Sequence, residues 1–232
     1  MQTSFWTKLF DLFSPRLCVG CGHRLSPNEP VMCCSCMLGL PLTHFSVSPY
    51  DNVMARMFWG LFPLEKAVAL CYYEPNTEFS RVIHAVKYFG RQDVGVHLGE
   101  QLARTLQETD FFSDIDAIVP VPLSTKRQKE RGYNQSMLIA EGVSNVTGIT
   151  VFDGVLERTE FAVSQTHLNI YERRENVDKA FRLRDEQGIT GKHLLLVDDV
   201  MTTGATLTSC ARQLLTIDGV RISIATLGFT KY

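Results

Sequence analysis

The sequence predicts a mostly parallel α/β sheet flanked by helices, preceded by a small metal-binding module. In the second half of the chain, short aliphatic runs alternate with segments of helical periodicity, which is typical of parallel strands joined by crossover helices. Two Cys-x-x-Cys pairs lie near the amino end. The length of 232 residues exceeds one typical domain of about 100–150 residues but is too short for two full-sized domains.

We divide the chain into four predicted segments. They are a short amphipathic helix in residues 1–16, a cysteine module in residues 17–40, a connector with one short helix in residues 41–66, and the α/β domain in residues 67–232. The first segment lacks the pattern of a secretory signal, and a helix docked on the protein explains it better than contact with a membrane. No apolar run approaches the length of about 18 residues that spans a bilayer, so we expect no transmembrane segment and a cytoplasmic protein.

Each element of the α/β domain is predicted from its apolar pattern. Continuous apolar runs predict strands at residues 67–73, 115–121, 154–158, 180–183, 193–197 and 221–228. Apolar residues at every third or fourth position predict helices at residues 77–89, 94–106, 134–146 and 204–215. The segment 160–176 is long and polar, as lids over a site often are, and a static hairpin with solvated charges explains it equally well.

The paired cysteines predict a structural zinc site in a zinc-ribbon-like module. A Cys-x-x-Cys turn directs two thiolates at one point, and two such turns complete a tetrahedral Zn²⁺ site with no open position for catalysis. The predicted ligands are Cys18, Cys21, Cys33 and Cys36. Cys34 in place of Cys33, participation of His23, or a redox pair of thiols are the alternatives. The symmetry of the two pairs favours Cys33, and the metal would supply the folding free energy of so small a module.

The balance of charges restricts the class of protein. Lys and Arg number 23 against 25 Asp and Glu, a formal charge of −2, which argues against a globally basic nucleic-acid binder but leaves a local basic patch possible. No GxxxxGK[ST] or GxGxxG motif is present, which argues against P-loop and dinucleotide-binding proteins.

Residues 194–206, with the sequence LLLVDDVMTTGAT, carry the chemistry. The four aliphatic residues predict a strand buried on both faces, and Asp198 and Asp199 follow at its carboxyl end, where open α/β sheets bind ligands. The loop that follows, with Gly204, enters a helix whose first N–H groups are unpaired and favour a phosphate. The groups expected at that phosphate belong to Met201, Thr202, Thr203, Gly204, Ala205 and Thr206.

Two adjacent carboxylates beside a phosphate-binding loop fit a sugar phosphate. The carboxylates of Asp198 and Asp199 accept hydrogen bonds from vicinal ribose hydroxyls while the loop holds the 5′-phosphate. The alternative is an acidic cap ahead of an ordinary helix, which leaves the Gly204 turn unexplained.

This segment resembles the phosphoribosyl pyrophosphate (PRPP) signature of type I phosphoribosyltransferases. From about Cys18 to its carboxyl end, the chain resembles the ComF family of competence-associated phosphoribosyltransferase-like proteins. The further segments that carry the resemblance are the two cysteine pairs, VKY at 86–88, PVPL at 120–123, RGYNQ at 131–135, QT at 165–166, Arg173, Asn176 and AF at 180–181.

The resemblance implies an open type I phosphoribosyltransferase-like sheet and a role for each motif. Asp198 and Asp199 are implied to contact the ribose hydroxyls, and the following loop to cradle the 5′-phosphate. The loop after Val121 is implied to bind pyrophosphate, which enters with Mg²⁺. Four basic residues against one acid in the segment 126–131 support this independently. The implied pyrophosphate and lid residues are Arg127, Arg131, Gly132, Lys87, Gln165 and Arg173.

Alternatives remain open for several of these residues. A basic helix start facing solvent explains Lys126 and Lys129 better than a ligand contact, whereas Arg131 next to Gly132 is the better candidate for pyrophosphate. Lys87 lies on a helix with an apolar face, so a lysine that extends to solvent and one that faces the cleft are equally plausible.

The predicted function is phosphoribosyl transfer from Mg-PRPP to an unidentified acceptor, with Asp198, Asp199 and Arg131 as the catalytic residues. The resemblance also implies a part in DNA uptake, natural competence or use of external DNA, together with a DNA-import machinery. The alternative is a non-catalytic protein that handles single-stranded DNA, with Arg and Lys on phosphates and Tyr133 or Trp59 for stacking. A third, weaker possibility is a regulator that senses PRPP without turnover.

Overall fold

The computed structural model describes residues 15–159, 180–186 and 188–231. Most of the predicted amino-terminal helix and the predicted lid segment therefore lie outside the described residues. The division of the chain at residues 16, 40 and 66 stays a prediction. Within the described residues, no helix is both long and apolar enough to cross a membrane.

The central sheet has four strands, all parallel. These are β1 (Ala67–Tyr72), β2 (Ala117–Pro120), β5 (His193–Met201) and β6 (Arg221–Phe229), in the order β1–β6–β5–β2. A separate antiparallel pair joins β3 (Leu156–Arg158) to β4 (Phe181–Leu183). The mostly parallel α/β sheet is thus confirmed. Strand β5 lies between β2 and β6, and therefore the carboxyl end of β5 is flanked on both sides by other strands.

Seven α-helices accompany these strands in the described residues. They are α1 (Cys34–Leu38), α2 (Val53–Arg56), α3 (Glu78–Tyr88), α4 (Gln92–Gln107), α5 (Thr125–Arg131), α6 (Gln135–Thr147) and α7 (Ala205–Leu214). The Thr77 side chain accepts a hydrogen bond from the Ser80 N–H and caps α3, as its position in the sequence predicts. The sequence predicted a pyrophosphate loop where α5 is found. Ser124 caps this helix, and Gly132, with φ of 79°, ends it.

The core lies between the central sheet and the helices. In β5, residues 193–197 are all buried, as expected of a central strand covered on both faces. Helices α4 and α6 cross closely, because a Cβ atom on Gly142 would lie 2.1 Å from the carbonyl oxygen of Val96. This contact fixes α6 beside the sheet, and α6 in turn supplies a side chain to the carboxyl end of β5.

Candidate functional site

The two acidic residues at the end of β5 are held by side chains from two helices and by a backbone N–H of β5 itself. The Ser136 hydroxyl, on α6, donates a hydrogen bond of 3.0 Å to Asp198 Oδ1. The Asp199 N–H donates to the same oxygen at 2.8 Å. Lys87, near the end of α3, forms an ion pair of 3.0 Å with Asp199 Oδ2. The sequence predicted these acids at one sheet edge, and the structure brings Lys87 into the cleft beside them.

The environment of Asp198 favours its protonated form. Burial and the neighbouring charge of Asp199 raise its pKa to about 7, although the hydrogen bonds from Asp199 N–H and Ser136 and the charge of Lys87 act in the opposite direction. The folded chain therefore holds a proton on Asp198 more tightly than the unfolded chain does. The stability contributed by this proton is complete below about pH 4 and is lost as the pH rises through about 7.

We predict that Asp198→Asn raises the melting temperature at about pH 8.5 by several degrees and changes it little at about pH 5. The amide oxygen still accepts the hydrogen bonds from Ser136 and from the Asp199 N–H, and the cost of the buried charge disappears. About 1 kcal/mol shifts the melting temperature of a chain of this length by roughly 2–4 °C. Calorimetric scans of both proteins across this range test the prediction, and a difference independent of pH contradicts it.

The turn after β5 leaves its amide groups open. Gly204, with φ of 75°, precedes the first turn of α7. Among the N–H groups of residues 202–206, only that of Ala205 has a hydrogen-bond partner in the described chain, the Thr203 hydroxyl at 3.5 Å. Thr202 and Thr203 are exposed, and Thr206 is half-exposed. Unpaired amides and hydroxyls at a helix start form an arrangement that binds a phosphate group.

The floor of this turn is built by the connector, a contribution that the sequence analysis missed. The side chain of Phe58 is fully buried. A Cβ atom on Gly204 would lie 3.0 Å from Phe58 Cε1 and 3.0 Å from Met201 Cε, so the turn rests directly on these two side chains. Arg212 on α7 donates a 3.3 Å hydrogen bond to the Leu61 carbonyl oxygen and holds the connector there.

We predict that Phe58→Ala weakens the binding of ribose 5-phosphate by about 10-fold or more, because the turn loses its support and the cavity lets it relax. Trp59→Ala is the matched control, since that neighbouring side chain is 57% exposed. Phe111→Ala, at the opposite end of the sheet, should lower the melting temperature without changing the affinity. Equal affinity in the Phe58 and Phe111 variants would contradict a positioning role for Phe58.

Helix α5 carries the predicted pyrophosphate residues. The Arg131 guanidinium donates a 2.7 Å hydrogen bond to Gln135 Oε1 and lies 5.2 Å from the centre of the Tyr88 ring. This contact brings Arg131 to the end of α3 that carries Lys87, but not into contact with either acid. Arg127 is exposed, and Gly132 serves as the helix end.

The other predicted residues of this region lie on the surface of α5, in a contact between α6 and α3, or outside the described residues. Lys126 and Lys129 are exposed on α5, and Lys129 also lines a cavity beside that helix. The Tyr133 hydroxyl donates a 2.5 Å hydrogen bond to the Val86 carbonyl oxygen and ties the start of α6 to α3. Gln165 and Arg173 lie outside the described residues.

Arg158 is a further residue of this region that no sequence motif indicated. It lies on β3, half-buried, with its guanidinium 5.3 Å from the centre of the Phe181 ring. Burial and the nearby charge of Arg127 lower its pKa, and the charge of Asp198 opposes them. Arg158 therefore lies within electrostatic range of both α5 and the end of β5.

The four predicted metal ligands converge on one point. The Sγ atoms of Cys18, Cys21, Cys33 and Cys36 all lie within 4.8 Å of one another. Those of Cys21 and Cys33 are 3.7 Å apart, which agrees with the separation of about 3.8 Å in a tetrahedral site with Zn–S bonds of about 2.3 Å. In residues 15–159, 180–186 and 188–231, this is the only cluster of three or more such ligands.

Cys34 and His23 differ from the four clustered residues. The Cys34 side chain is exposed, and its N–H donates a 2.7 Å hydrogen bond to Glu29 Oε1. The His23 Nδ1 atom is 3.3 Å from the Cys21 sulfur, so the imidazole lies beside the cluster. The geometry therefore favours the set with Cys33 over the set with Cys34.

Comparisons with known proteins show similarity to one protein family over most of the chain. The model of the phosphoribosyl transferase domain family matches residues 92–229. The chain is 31% identical over 202 residues to the DNA utilization protein YhgH of Escherichia coli strain K12, covering 86% of this chain and 84% of that protein. It is 32% identical over 222 residues to the competence protein ComFC of Bacillus subtilis strain 168, covering 92% and 84%.

Among solved structures, the glutamine PRPP amidotransferase of Bacillus subtilis, complexed with ADP and GMP, aligns with 61% of this chain at 21% identity and a TM-score of 0.41. The alignment covers 30% of that longer chain.

Proposed function

Since the chain belongs to the ComF family of phosphoribosyltransferase-like proteins, we propose that it binds Mg-PRPP and transfers the phosphoribosyl group to an acceptor. One observation carries the proposal: the carboxylates of Asp198 and Asp199 lie directly before a turn whose amide groups are open. A process that uses external DNA is the proposed setting, because the relatives are named for DNA utilization and competence.

In the proposed complex, each part of the sheet edge has one task. Asp198 and Asp199 accept hydrogen bonds from the ribose hydroxyls, and the residues 201–206 hold the 5′-phosphate through N–H and hydroxyl groups. Lys87, which pairs with Asp199 at 3.0 Å in the free chain, is close enough to turn to a phosphate oxygen. Mg²⁺ enters on the phosphates of the ligand, as it commonly does.

The proposed transfer joins a nucleophilic nitrogen to ribose C1 as pyrophosphate leaves with its Mg²⁺. Positive charge develops on the sugar, so the barrier depends on stabilising the leaving group and excluding water. We assign leaving-group stabilisation to Arg131 and Arg127, with Gly132 exposing the backbone beside them. Gln165 and Arg173 stay candidates for the lid.

A structural Zn²⁺ at the four clustered cysteines is part of the proposal. Its support is the convergence of four sulfur atoms with the spacing of a closed tetrahedral site. Such a site has no position for a substrate, so the metal would stabilise the amino-terminal module.

A second candidate function is the non-catalytic handling of single-stranded DNA. Two observations favour it, namely the exposed basic surface of α5 and the exposure of the Trp59 ring. Tyr133 is a poorer stacking residue, because its hydroxyl is engaged by the Val86 carbonyl.

Complementation of a strain that lacks the gene separates the two functions. If PRPP chemistry is required, Asp198→Asn with Asp199→Asn abolishes growth on external DNA or transformation. If DNA handling alone is required, this variant retains function, and Arg127→Ala with Arg131→Ala loses it. Isotope exchange between pyrophosphate and PRPP then distinguishes turnover from mere sensing of PRPP.

A further inference from the structure

A cavity lies beside the sheet edge, between α5, α6 and the β3–β4 pair. Its volume is about 940 Å³, which suits a ligand of nucleotide size. Its lining includes Thr125, Gln128 and Lys129 on α5 but no residue of the 198–206 segment. Arg131 lies instead beside Tyr88, toward α3. Pro122 and Leu123 of the loop after Val121 also line the cavity, so it adjoins the proposed pyrophosphate loop.

Three basic side chains that line the cavity have no acidic partner. In the part of the chain that the structure describes, no carboxylate lies within ion-pair distance of Lys129, Arg158 or Arg184. Arg182, which also lines the cavity, pairs with Glu157. Most other arginines and lysines that the structure describes have an acid or a carbonyl oxygen as partner.

The position of Arg158 strengthens this observation. Its guanidinium is half-buried, and the exposed Arg127 is near enough to disfavour its charge further. Partial burial of a cation beside another cation is unfavourable unless anions compensate it, and the charge of Asp198 already acts in that direction. A bound anion in the cavity adds to this compensation.

The remaining lining indicates more than a bare anion. Met137, Leu138 and Leu156 form an apolar wall on which a planar ring packs favourably. Glu141 and Asp153 are the acids of the cavity outside the pair with Arg182, and their carboxylates are acceptors for sugar hydroxyls. A planar ring, hydroxyl groups and a phosphate occur together in a nucleotide.

We propose that this cavity is a binding site for a nucleoside monophosphate, with its phosphate on Arg158 and Lys129 and its base against the wall of Met137, Leu138 and Leu156. Arg184 also lines the cavity, and its exposed positive charge favours the approach of an anion. The site is separate from the turn at 201–206 and does not depend on the proposed transfer reaction.

Titration calorimetry of the full chain with AMP, with and without Mg-PRPP, tests the proposal. Because AMP contains ribose 5-phosphate, the decisive titration is the one in which Mg-PRPP saturates the turn at 201–206, and there we expect saturable binding of AMP. Arg158→Gln and Lys129→Gln should each weaken it by about 10-fold or more, the loss typical of a charged hydrogen bond. Lys126→Gln, on the same helix with an exposed side chain, is the matched control and should bind as the wild type does.

Three results would overturn the inference. They are no saturable binding of AMP at millimolar concentration, affinity in saturating Mg-PRPP that neither Arg158→Gln nor Lys129→Gln changes, and binding of AMP only in the absence of Mg-PRPP, which would place AMP in the turn at 201–206. Arg158→Lys keeps the charge and should restore part of the affinity for AMP. Such a recovery would show that the loss of affinity in Arg158→Gln comes from the missing charge and not from misfolding. Binding of AMP that depends on Arg158 in a chain that does not bind PRPP would contradict only the proposed function.

Discussion

Replacing Asp198 and Asp199 together with asparagine is expected to weaken the binding of Mg-PRPP by about 100-fold or more. Above about pH 7, where Asp198 is ionised, each carboxylate is proposed to accept a charged hydrogen bond from a ribose hydroxyl, and such bonds contribute about 1.5–3 kcal/mol each. The double variant also leaves Lys87 without the partner that it has at 3.0 Å. Titration calorimetry of both proteins measures the change.

A matched control removes the same charge elsewhere. Glu108→Gln with Asp110→Asn changes two exposed acids near the amino end of β2, at the opposite end of the sheet. This control should bind Mg-PRPP as the wild type does. Because PRPP is an anion, loss of two carboxylates that lie close to it but accept no hydrogen bond from it would strengthen binding, whereas the distant control charges are screened. Equal or tighter binding by the Asp198 and Asp199 double variant would therefore contradict their proposed role.

Replacing Cys33 with serine is expected to abolish binding of a zinc ion and to unfold the module around it. The four sulfur atoms are within 4.8 Å of one another, and a closed site of this kind supplies folding free energy that burial in so short a segment cannot replace. Native mass spectrometry of the intact chain gives the zinc content, and circular dichroism gives the melting temperature.

Cys34→Ser is the control for this prediction. Its thiol is exposed, and its backbone N–H donates a hydrogen bond to Glu29. The variant should keep one zinc ion per chain and an unchanged melting temperature. Zinc lost from Cys34→Ser but kept by Cys33→Ser would instead assign the ligand set with Cys34.

Local patterns were sufficient to predict the sheet and much of its edge. The uninterrupted aliphatic run before Asp198 predicts a strand covered on both faces. The structure places this run in β5, between two parallel neighbours. Thr77 indicated the start of α3 because a hydroxyl cap is a local feature. The cysteine spacing likewise predicted which sulfur atoms converge.

What the sequence could not predict depends on contacts between distant segments. Ser136 reaches Asp198 across 62 positions, and no local signal indicates such a pair. Phe58 is an ordinary aromatic residue in a connector until the turn at Gly204 packs on it. Arg158 ends a short strand, and only the fold places it beside a cavity.

Helix α5 was missed for a different reason. Its seven residues contain no buried side chain, so the apolar period that predicts a helix is absent. Its stability comes from the Ser124 cap and the Gly132 end, which resemble ordinary loop residues in the sequence.

The most direct measurement is a calorimetric titration of the wild-type chain with Mg-PRPP, repeated with a single-stranded oligonucleotide present. We predict saturable binding of one PRPP per chain. Ribose 5-phosphate should compete with it, because both ligands place a phosphate in the turn after β5. Absence of saturable PRPP binding at millimolar concentration, in a chain that binds the oligonucleotide, would contradict it.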